Sequence, residues 1–349
     1  MTDTPTAGAA PPAPDAAPDA RPRAGRVLRY LGGRLLTAAV SLAAVMVTSF
    51  FLFRILPGDP VAAMTEGREV SVEQMEALRR EFGLDQPLWR QFLDYCAGML
   101  RLDLGVSYEF HRPVAELVAE RIGPTVLLAG TGTLIAAALG LVLGTRAAWR
   151  RGSLGDRVNS SVALLLWSVP SFWLGLLLIV VLASGTGWLP GLFPTSGMMS
   201  ADTAGGLDTA IDVAHHMVLP VATMVAVVYA QYLMIMRSSV LDEMGSDYLT
   251  TARAKGLRDD LVLRRHAVPN ALLPTVTLIF LNLGRVFGGV ILIETVFAWP
   301  GLGSLFYSGL KVPDLPLVQA LFVIFASAVI IMNLLADLVY PLLDPRVRT

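Results

Sequence analysis

The sequence is poor in charge, cysteine and histidine, and each shortage excludes a class of function. Only 16% of the 349 residues are charged and 54% are hydrophobic, whereas soluble domains carry about 25% charged residues. Much of the chain is therefore expected to have lipid as its solvent. A net charge of −1 provides no basic field that would gather nucleic acid.

The scarce reactive residues also argue against enzymatic chemistry. A single cysteine, Cys96, excludes an intrachain disulfide and a cysteine-based metal cluster. The four histidines are scattered without metal-ligand spacing, so no metal site is expected. A phosphate-binding loop needs Gly-Lys-Ser/Thr, but Lys255 follows Ala254 and Lys311 follows Leu310. The chain should bind no cofactor, and any nucleotide hydrolysis must occur on another chain.

Six long apolar stretches predict an all-α integral membrane protein with six transmembrane helices. A spanning helix needs about 20 mostly apolar residues, because its backbone must be satisfied internally in hydrocarbon. The stretches cover residues 35–53, 125–145, 162–183, 217–236, 272–293 and 317–335. Pro170 and Pro220 fall inside two of them and are expected to kink the helices.

The organisation predicted from these spans has four parts. Residues 1–25 are rich in Ala and Pro and are predicted to be a disordered cytoplasmic tail. Residues 26–56 hold the first transmembrane helix, and residues 57–124 form a helical extracytoplasmic loop domain. The remaining core, residues 125–349, holds spans two to six. Arginines in the terminal flanks and the short connections lie on one side of the membrane, which places both termini in the cytoplasm; the long 57–124 loop also holds seven arginines, but loops of this length cross largely regardless of charge and are not counted.

The extracytoplasmic loop has a helical pattern of its own. Ser71 with Gln74 predicts a capping box, and Gly83 predicts the end of that helix. A second helix is predicted near residues 85–87. Its predicted apolar face consists of Trp89, Phe92, Leu93, Cys96 and Leu100. This loop could be a docking surface or a scaffold that packs on the ends of the spans.

The connection between spans four and five, residues 237–271, predicts a pair of short helices on the cytoplasmic side. Ser246 or Asp247 can cap the first helix, and Gly256 can end it in the left-handed conformation. A second helix should begin near residues 259–260 and run to a break at residues 266–269. Small residues such as Ala252 and Ala254 would let a partner protein approach closely. A merely solvated loop is the alternative.

This hairpin resembles the coupling loop of ABC-importer permeases, and other motifs resemble the dipeptide/oligopeptide (DppB/OppB type) subfamily. The general loop pattern has a glutamate followed by an alanine, and Thr250 and Thr251 occupy these two positions here. A salt bridge from that glutamate is therefore in doubt. The motifs that carry the resemblance are Tyr248 to Gly256, Arg265-His266-Ala267, Asn270-Ala271-Leu272-Leu273-Pro274, Pro57-Gly58-Asp59-Pro60, Gly83-Leu84-Asp85-Gln86-Pro87-Leu88, Asp103-Leu104-Gly105-Val106-Ser107, the stretch from Glu294 to Gly303 and Asp344-Pro345-Arg346.

The resemblance implies a type I importer permease in the inner membrane that lacks its own ATPase site. It implies a second homologous permease, two cytoplasmic ATPases carrying ATP and Mg, an extracytoplasmic substrate-binding protein and a peptide substrate. The loop helix would sit in a groove of an ATPase subunit. The residues implied at this contact are Thr251, Ala252, Arg253, Ala254, Lys255, Gly256 and Leu257.

Polar residues inside spans are candidates for the translocation path, because hydrocarbon makes them costly. These are Gln231, Asn282, Arg285 and Asn333. Arg285 could contact a peptide carboxylate, or it could pair structurally with an acid such as Asp337. Rival functions are a permease for nickel or another small solute and an ion-coupled secondary transporter. The latter should show inverted repeats and acids at mid-membrane, and neither is evident.

Overall fold

The computed structural model describes residues 23–55, 61, 71–81, 83–185, 191–203 and 205–343. Several features predicted above lie outside the described residues. These are most of the 1–25 tail, the Pro57-Gly58-Asp59-Pro60 motif, the Asp344-Pro345-Arg346 motif and the side chain of Arg285.

The described chain is almost wholly helical, and within it the only β-type pairing is an isolated bridge between Val106 and Pro113. The helices are α1 (Arg23–Ile55), α2 (Val72–Glu81), α3 (Leu88–Leu100), α4 (Val114–Trp149), α5 (Leu154–Ser168), α6 (Ser171–Leu178), α7 (Leu207–Met244), α8 (Asp247–Ala254), α9 (Asp259–Val262), α10 (Val268–Gly289), α11 (Ile291–Val296), α12 (Leu302–Lys311) and α13 (Leu315–Leu343). Two π-helical turns, Ile179–Ala183 and Leu263–Ala267, follow α6 and α9.

Four of these helices, α1, α4, α7 and α13, are long and apolar enough to cross a bilayer. The count rises to six if each of two bent helix pairs is taken as one span. The prediction of six spans is therefore met only when the bent pairs are included.

The third predicted span is not one straight helix, and its break lies at Pro170, where the sequence predicts a kink. Its two halves, α5 and α6 with the π-helical turn, meet at an angle of 100°. Proline lacks an amide hydrogen and disfavours helical backbone at the residue before it, and Val169 before Pro170 is extended with ψ 130°. Pro220 behaves differently, because α7 continues through it.

The centre of the fold is the close packing of α4 against α7. Glycines on α4 allow this approach, as small residues do between membrane helices. A Cβ at Gly144 would lie 2.6 Å from the Leu233 carbonyl oxygen, and one at Gly140 would lie 2.9 Å from the Leu233 nitrogen. The two backbones are therefore in direct contact at these glycines.

Helices α1 and α13 run antiparallel along another side. Arg34 of α1 forms an ion pair with Asp337 of α13 at 2.8 Å, and Phe53 contacts Phe322 with ring centroids 5.9 Å apart. Asp337, the suggested structural partner of Arg285, thus pairs with an arginine of a different span.

The local predictions for the outer loop are confirmed. Ser71 N–H donates to Gln74 Oε1 at 3.0 Å, and Gln74 N–H donates to Ser71 Oγ at 3.2 Å, which is a capping box. Gly83 has φ +62°, and the next residue, Leu84, donates its N–H to the Arg79 carbonyl at 2.8 Å. These bonds end α2 as predicted.

The predicted apolar face of α3 is only partly correct. Phe92 packs against Phe50 of α1, with ring centroids 5.2 Å apart. Trp89, Leu93 and Leu100 are instead 65%, 56% and 75% exposed. Sequence periodicity identified an apolar stripe, but it could not show that another flank of the helix contacts the protein.

Candidate functional site

The connection between α7 and α10 folds as a compact helical hairpin, which we call the α8–α9 hairpin (residues 246–267). Gly256 has φ +82°, a left-handed conformation that glycine adopts without strain. Its N–H donates to the Arg253 carbonyl at 2.9 Å, and the Leu257 N–H donates to the Ala252 carbonyl at 3.3 Å. The predicted end of α8 at Gly256 is confirmed.

The predicted break at residues 266–269 is wrong. The chain passes from α9 through the π-helical turn directly into α10, and Pro269 lies in the first turn of that helix. The bend of 45° falls later, between Leu272 and Pro274.

The hairpin has a small apolar core formed by Leu249, Ala252, Val262 and Ala267, each buried. Ala252 is only 7% exposed, so the prediction that it faces a partner protein is corrected. Leu249 and Ala252 are three residues apart and therefore share one helix face, which packs against the returning chain. The small side chain of Ala252 allows the two segments of the hairpin to pack closely together.

The opposite side of the hairpin is open and mainly polar. Thr251, Arg253, Ala254, Lys255 and Gly256 are exposed there, and Leu257 is half-buried. Arg253 Nε lies 3.1 Å from Asp259 Oδ1, which joins α8 to the start of α9. We call the exposed residues of this stretch, Thr251 and residues 253–256, the hairpin rim.

Tyr248 ties the hairpin to the helices on both sides of it. Its hydroxyl donates to the carboxylate of Glu243 at the end of α7 and accepts a bond of 2.9 Å from Asn270 Nδ2 at the start of α10. Tyr248 and Asn270 belong to two motifs that carry the family resemblance. Sequence reasoning assigned neither residue a role, because their contact joins positions 22 residues apart.

Arg253 adds a third attachment. Its guanidinium lies over the Trp149 ring at the end of α4, 5.9 Å from the ring centroid, a distance at which cation–π attraction operates. The hairpin is thus attached to α4, α7 and α10.

A second polar connection lies near the same ends of the helices. Arg237 of α7 donates to both carboxylate oxygens of Asp156 at 2.8 and 2.9 Å. Asp156 is buried in the first turn of α5 and also accepts the Gly152 N–H at 2.9 Å. This bidentate pair joins the end of α7 to the first half of the bent span, and sequence analysis did not find it.

The structure brings together two of the four predicted translocation-path residues. Asn282 Nδ2 of α10 donates to Gln231 Oε1 of α7 at 3.4 Å, and both side chains are half-buried. Arg285 follows Asn282 by three positions on α10, so its Cα lies on the same helix side. Asn333 is exposed on α13, and no contact in the described chain links it to the Asn282–Gln231 pair.

At the other end of the helices, the buried side chain of Glu294 joins several segments. Glu294 begins one of the motifs that carry the resemblance, but the sequence predicts no role for it. Its carboxylate accepts the Thr125 hydroxyl at 2.7 Å, the Gly303 N–H at 2.7 Å and the Ser304 N–H at 3.0 Å. Gly301 contributes by lacking a side chain, because a Cβ there would collide with the carboxylate. Glu294 therefore joins α11 to α4 and to the first turn of α12.

The outer loop is fastened to the start of α13 by a similar device. The Ser107 hydroxyl and the Glu109 N–H both donate to Asp314 Oδ2, the latter at 3.2 Å. Burial, and then the negative charge of Asp314, raises the pKa of the Glu109 carboxyl. The predicted loop motif at residues 103–107 is thus held in place by a buried acid just before the last helix.

No group of three or more potential metal ligands occurs among the described residues. The site consists instead of an exposed helical hairpin fixed to several long apolar helices, with a polar pair between two of those helices. These features are those of an all-α integral membrane protein.

Comparison with known proteins identifies the family. Residues 140–349 match the model of the binding-protein-dependent transport system inner membrane component, and residues 27–129 match the N-terminal model of such membrane components. The chain belongs to this family of inner-membrane transport permeases. The family resemblance inferred from the motifs is confirmed.

Curated relatives are similar over nearly their whole length. The dipeptide transport system permease protein DppB of Escherichia coli (strain K12) is 36% identical over 336 residues, covering 92% of this chain and 99% of the relative. The glutathione transport system permease protein GsiC of Pectobacterium atrosepticum is 37% identical over 323 residues, with the same coverage. GsiC of Escherichia coli (strain K12) is 36% identical over 322 residues.

Proposed function

We propose that this permease belongs to an ATP-driven importer of dipeptides or oligopeptides. The names of the relatives support this cargo, because one is a dipeptide permease and the other transports glutathione, which is itself a small peptide. Nickel, as an alternative cargo, would be favoured by a cluster of metal ligands along the path, and the described residues contain none. No feature of the described spans favours an ion-coupled transporter.

The proposed assembly contains a second homologous permease, two cytoplasmic ATPase subunits and an extracytoplasmic substrate-binding protein. ATP and Mg would be bound by the ATPases, and this chain would contribute no ATPase site. Both termini and the α8–α9 hairpin would face the cytoplasm, in keeping with the arginines beside these segments.

The observation that carries the proposal is the construction of the hairpin. Its core is buried, its rim is exposed, and Tyr248 and Arg253 attach it to three long helices. An ATPase that holds the rim would therefore displace the ends of α4, α7 and α10 together. Such a displacement is what alternating access requires, with ATP binding opening one side of the path and hydrolysis restoring the other.

The translocation path would run beside Gln231, Asn282 and Arg285, with Asn333 contributing from α13. Support comes from the contact between Asn282 and Gln231 on neighbouring helices and from the cost of placing polar groups in hydrocarbon. In this arrangement Arg285 would attract the carboxylate of a peptide.

The rim can be tested without disturbing the hairpin core. Replacing the exposed Ala254 by tryptophan adds bulk at the rim, whereas Ala252 and Leu249 keep their packing. We expect Ala254→Trp to abolish co-purification of the ATPase subunits and ATP-dependent peptide uptake in proteoliposomes. The matched control is Ala210→Trp, the same change at an exposed position of α7 near the opposite end of that helix.

The two variants separate the possible outcomes. Normal ATPase retention and uptake by Ala254→Trp would contradict a role of the rim in coupling. Uptake by the chain without ATPase subunits, driven by an ion gradient, would refute the importer assignment and support a secondary transporter.

A further inference from the structure

Helix α3 of the outer loop has three different flanks. One flank packs on the protein, where Phe92 and Tyr95 contact Phe50 with ring centroids 5.2 and 5.7 Å apart and Met99 lies against a buried cluster. At about 100° of rotation per residue, these three side chains fall within about 60° of one another. This flank makes intramolecular contacts, and its three side chains are half-buried.

The exposed apolar residues form a second flank. Trp89, Leu93 and Leu100 fall within about 40° of one another around the helix, and they lie about 100° from the packing flank. All three are more than half exposed. Such a continuous apolar stripe on an otherwise packed helix indicates a surface that is covered in the working protein.

The third flank is polar. Arg90, Asp94 and Arg101 lie about 100° from the apolar stripe, on the side away from the packing flank. Around the helix, the flank that packs on the protein is therefore followed by the apolar stripe and then by the charged flank. This is the order expected of a helix that rests on a membrane surface beside a protein wall, with lipid beneath it and water above it.

The position of α3 relative to the first span supports the same surroundings. Phe50 and Phe51 belong to the apolar segment Gly32–Phe53, and Phe92 contacts both rings, at 5.2 and 6.0 Å. Phe50 precedes the end of this segment by three residues, or about 4.5 Å along the helix axis. Helix α3 therefore lies beside the last turn of a membrane span.

The exposed surface of α1 continues toward the stripe. Phe51 and Leu52 are both exposed, and Phe51 stacks on Phe92 of α3. Exposed apolar side chains on a spanning helix are suited to contact with lipid, and α3, which carries the stripe, packs beside the end of the same apolar segment. Tryptophan is enriched at this depth of membrane proteins, which suits Trp89.

We propose that α3 is an interfacial helix whose Trp89–Leu93–Leu100 stripe is immersed in the outer boundary of the lipid bilayer. The stripe would fix the depth of the outer loop relative to the membrane. The occupant of this surface is therefore lipid, rather than the substrate-binding protein or the second permease.

Site-directed spin labelling can test this proposal in the assembled transporter. Cys96 is the only cysteine of this chain, so its replacement by serine leaves the introduced thiol as the only one in this chain, and the chain is labelled in complexes whose other subunits have had their cysteines replaced. Leu93→Cys places a nitroxide on the stripe, and Asp94→Cys places the matched control on the polar flank one residue away. The full chain, purified with its accompanying subunits and reconstituted in phosphatidylcholine vesicles, is then probed with oxygen and with a water-soluble nickel chelate.

We expect the ratio of oxygen to nickel-chelate accessibility to be several-fold higher at position 93 than at position 94. Equal ratios at the two positions would show that the stripe faces water and would overturn the proposal. Low accessibility to both reagents at position 93 would show that a protein covers the stripe and would also overturn it. Trp89→Cys and Arg90→Cys repeat the comparison if Leu93→Cys fails to assemble.

Discussion

Replacing Glu294 by alanine should weaken the junction between α11, α4 and α12, and the structure allows the size of the effect to be estimated. The side chain is 0% exposed, and its carboxylate is the acceptor for two backbone N–H groups, those of Gly303 and Ser304. The Gly303 bond is buried and the Ser304 bond is partly buried, so both amides lose an acceptor that lies away from solvent when the carboxylate is removed.

Leaving a buried donor without an acceptor costs about 1–3 kcal/mol. For the two amides together, Glu294→Ala should lower the free energy of unfolding by about 2–6 kcal/mol. The buried Thr125 hydroxyl also loses its acceptor, although it still accepts the Leu302 N–H at 2.7 Å, and this further cost is not included in the range above. Glu294→Gln retains one acceptor oxygen for the two amides, so its cost should be only about 1–2 kcal/mol.

The measurement is equilibrium unfolding of the purified chain by SDS in mixed micelles, compared among the wild type and both variants. Glu116→Ala provides the control, because Glu116 is an exposed acid paired with Arg112 at 3.3 Å. Such surface pairs contribute about 0–1 kcal/mol. The reasoning is refuted if Glu294→Ala is no less stable than Glu116→Ala, or if Glu294→Gln is as unstable as Glu294→Ala.

Two further predictions concern transport. Tyr248→Phe removes the hydroxyl that connects Glu243 and Asn270, so we expect the ATPases to remain bound while peptide uptake per ATP hydrolysed falls. The control is Tyr307→Phe, at a position of nearly equal exposure (37% against 38%), which should leave that ratio unchanged. An unchanged ratio in Tyr248→Phe would contradict the role given to the hydroxyl. Arg285→Met should abolish peptide uptake while the complex still assembles, and normal uptake by an intact complex would exclude Arg285 from the path.

The family and the helical class could be predicted from the sequence, because they depend on local properties. An apolar stretch of about 20 residues must form a helix in lipid whatever surrounds it. The capping box at Ser71 and the left-handed turn at Gly256 likewise depend on side chains and backbone within a few residues.

Proline positions show where local reasoning is insufficient. Pro170 separates two helices at 100°, Pro220 lies within a continuous helix, and Pro269 lies in the first turn of α10 where a break was predicted. All three residues lack the same amide hydrogen. The path of each helix is decided by the segments that pack around it, and these are distant in sequence.

The candidate site divides in the same way. The hairpin, its glycine and the polar residues within the spans are predictable from the sequence, since they follow from short-range patterns. Helix packing, in contrast, buries Ala252, brings Tyr248 to Asn270, places Asp156 against Arg237 and lets Glu294 join α11 to α4 and α12. Each of these contacts depends on how the helices pack, and hydrophobic periodicity marks which residues are apolar without specifying which neighbour they will meet.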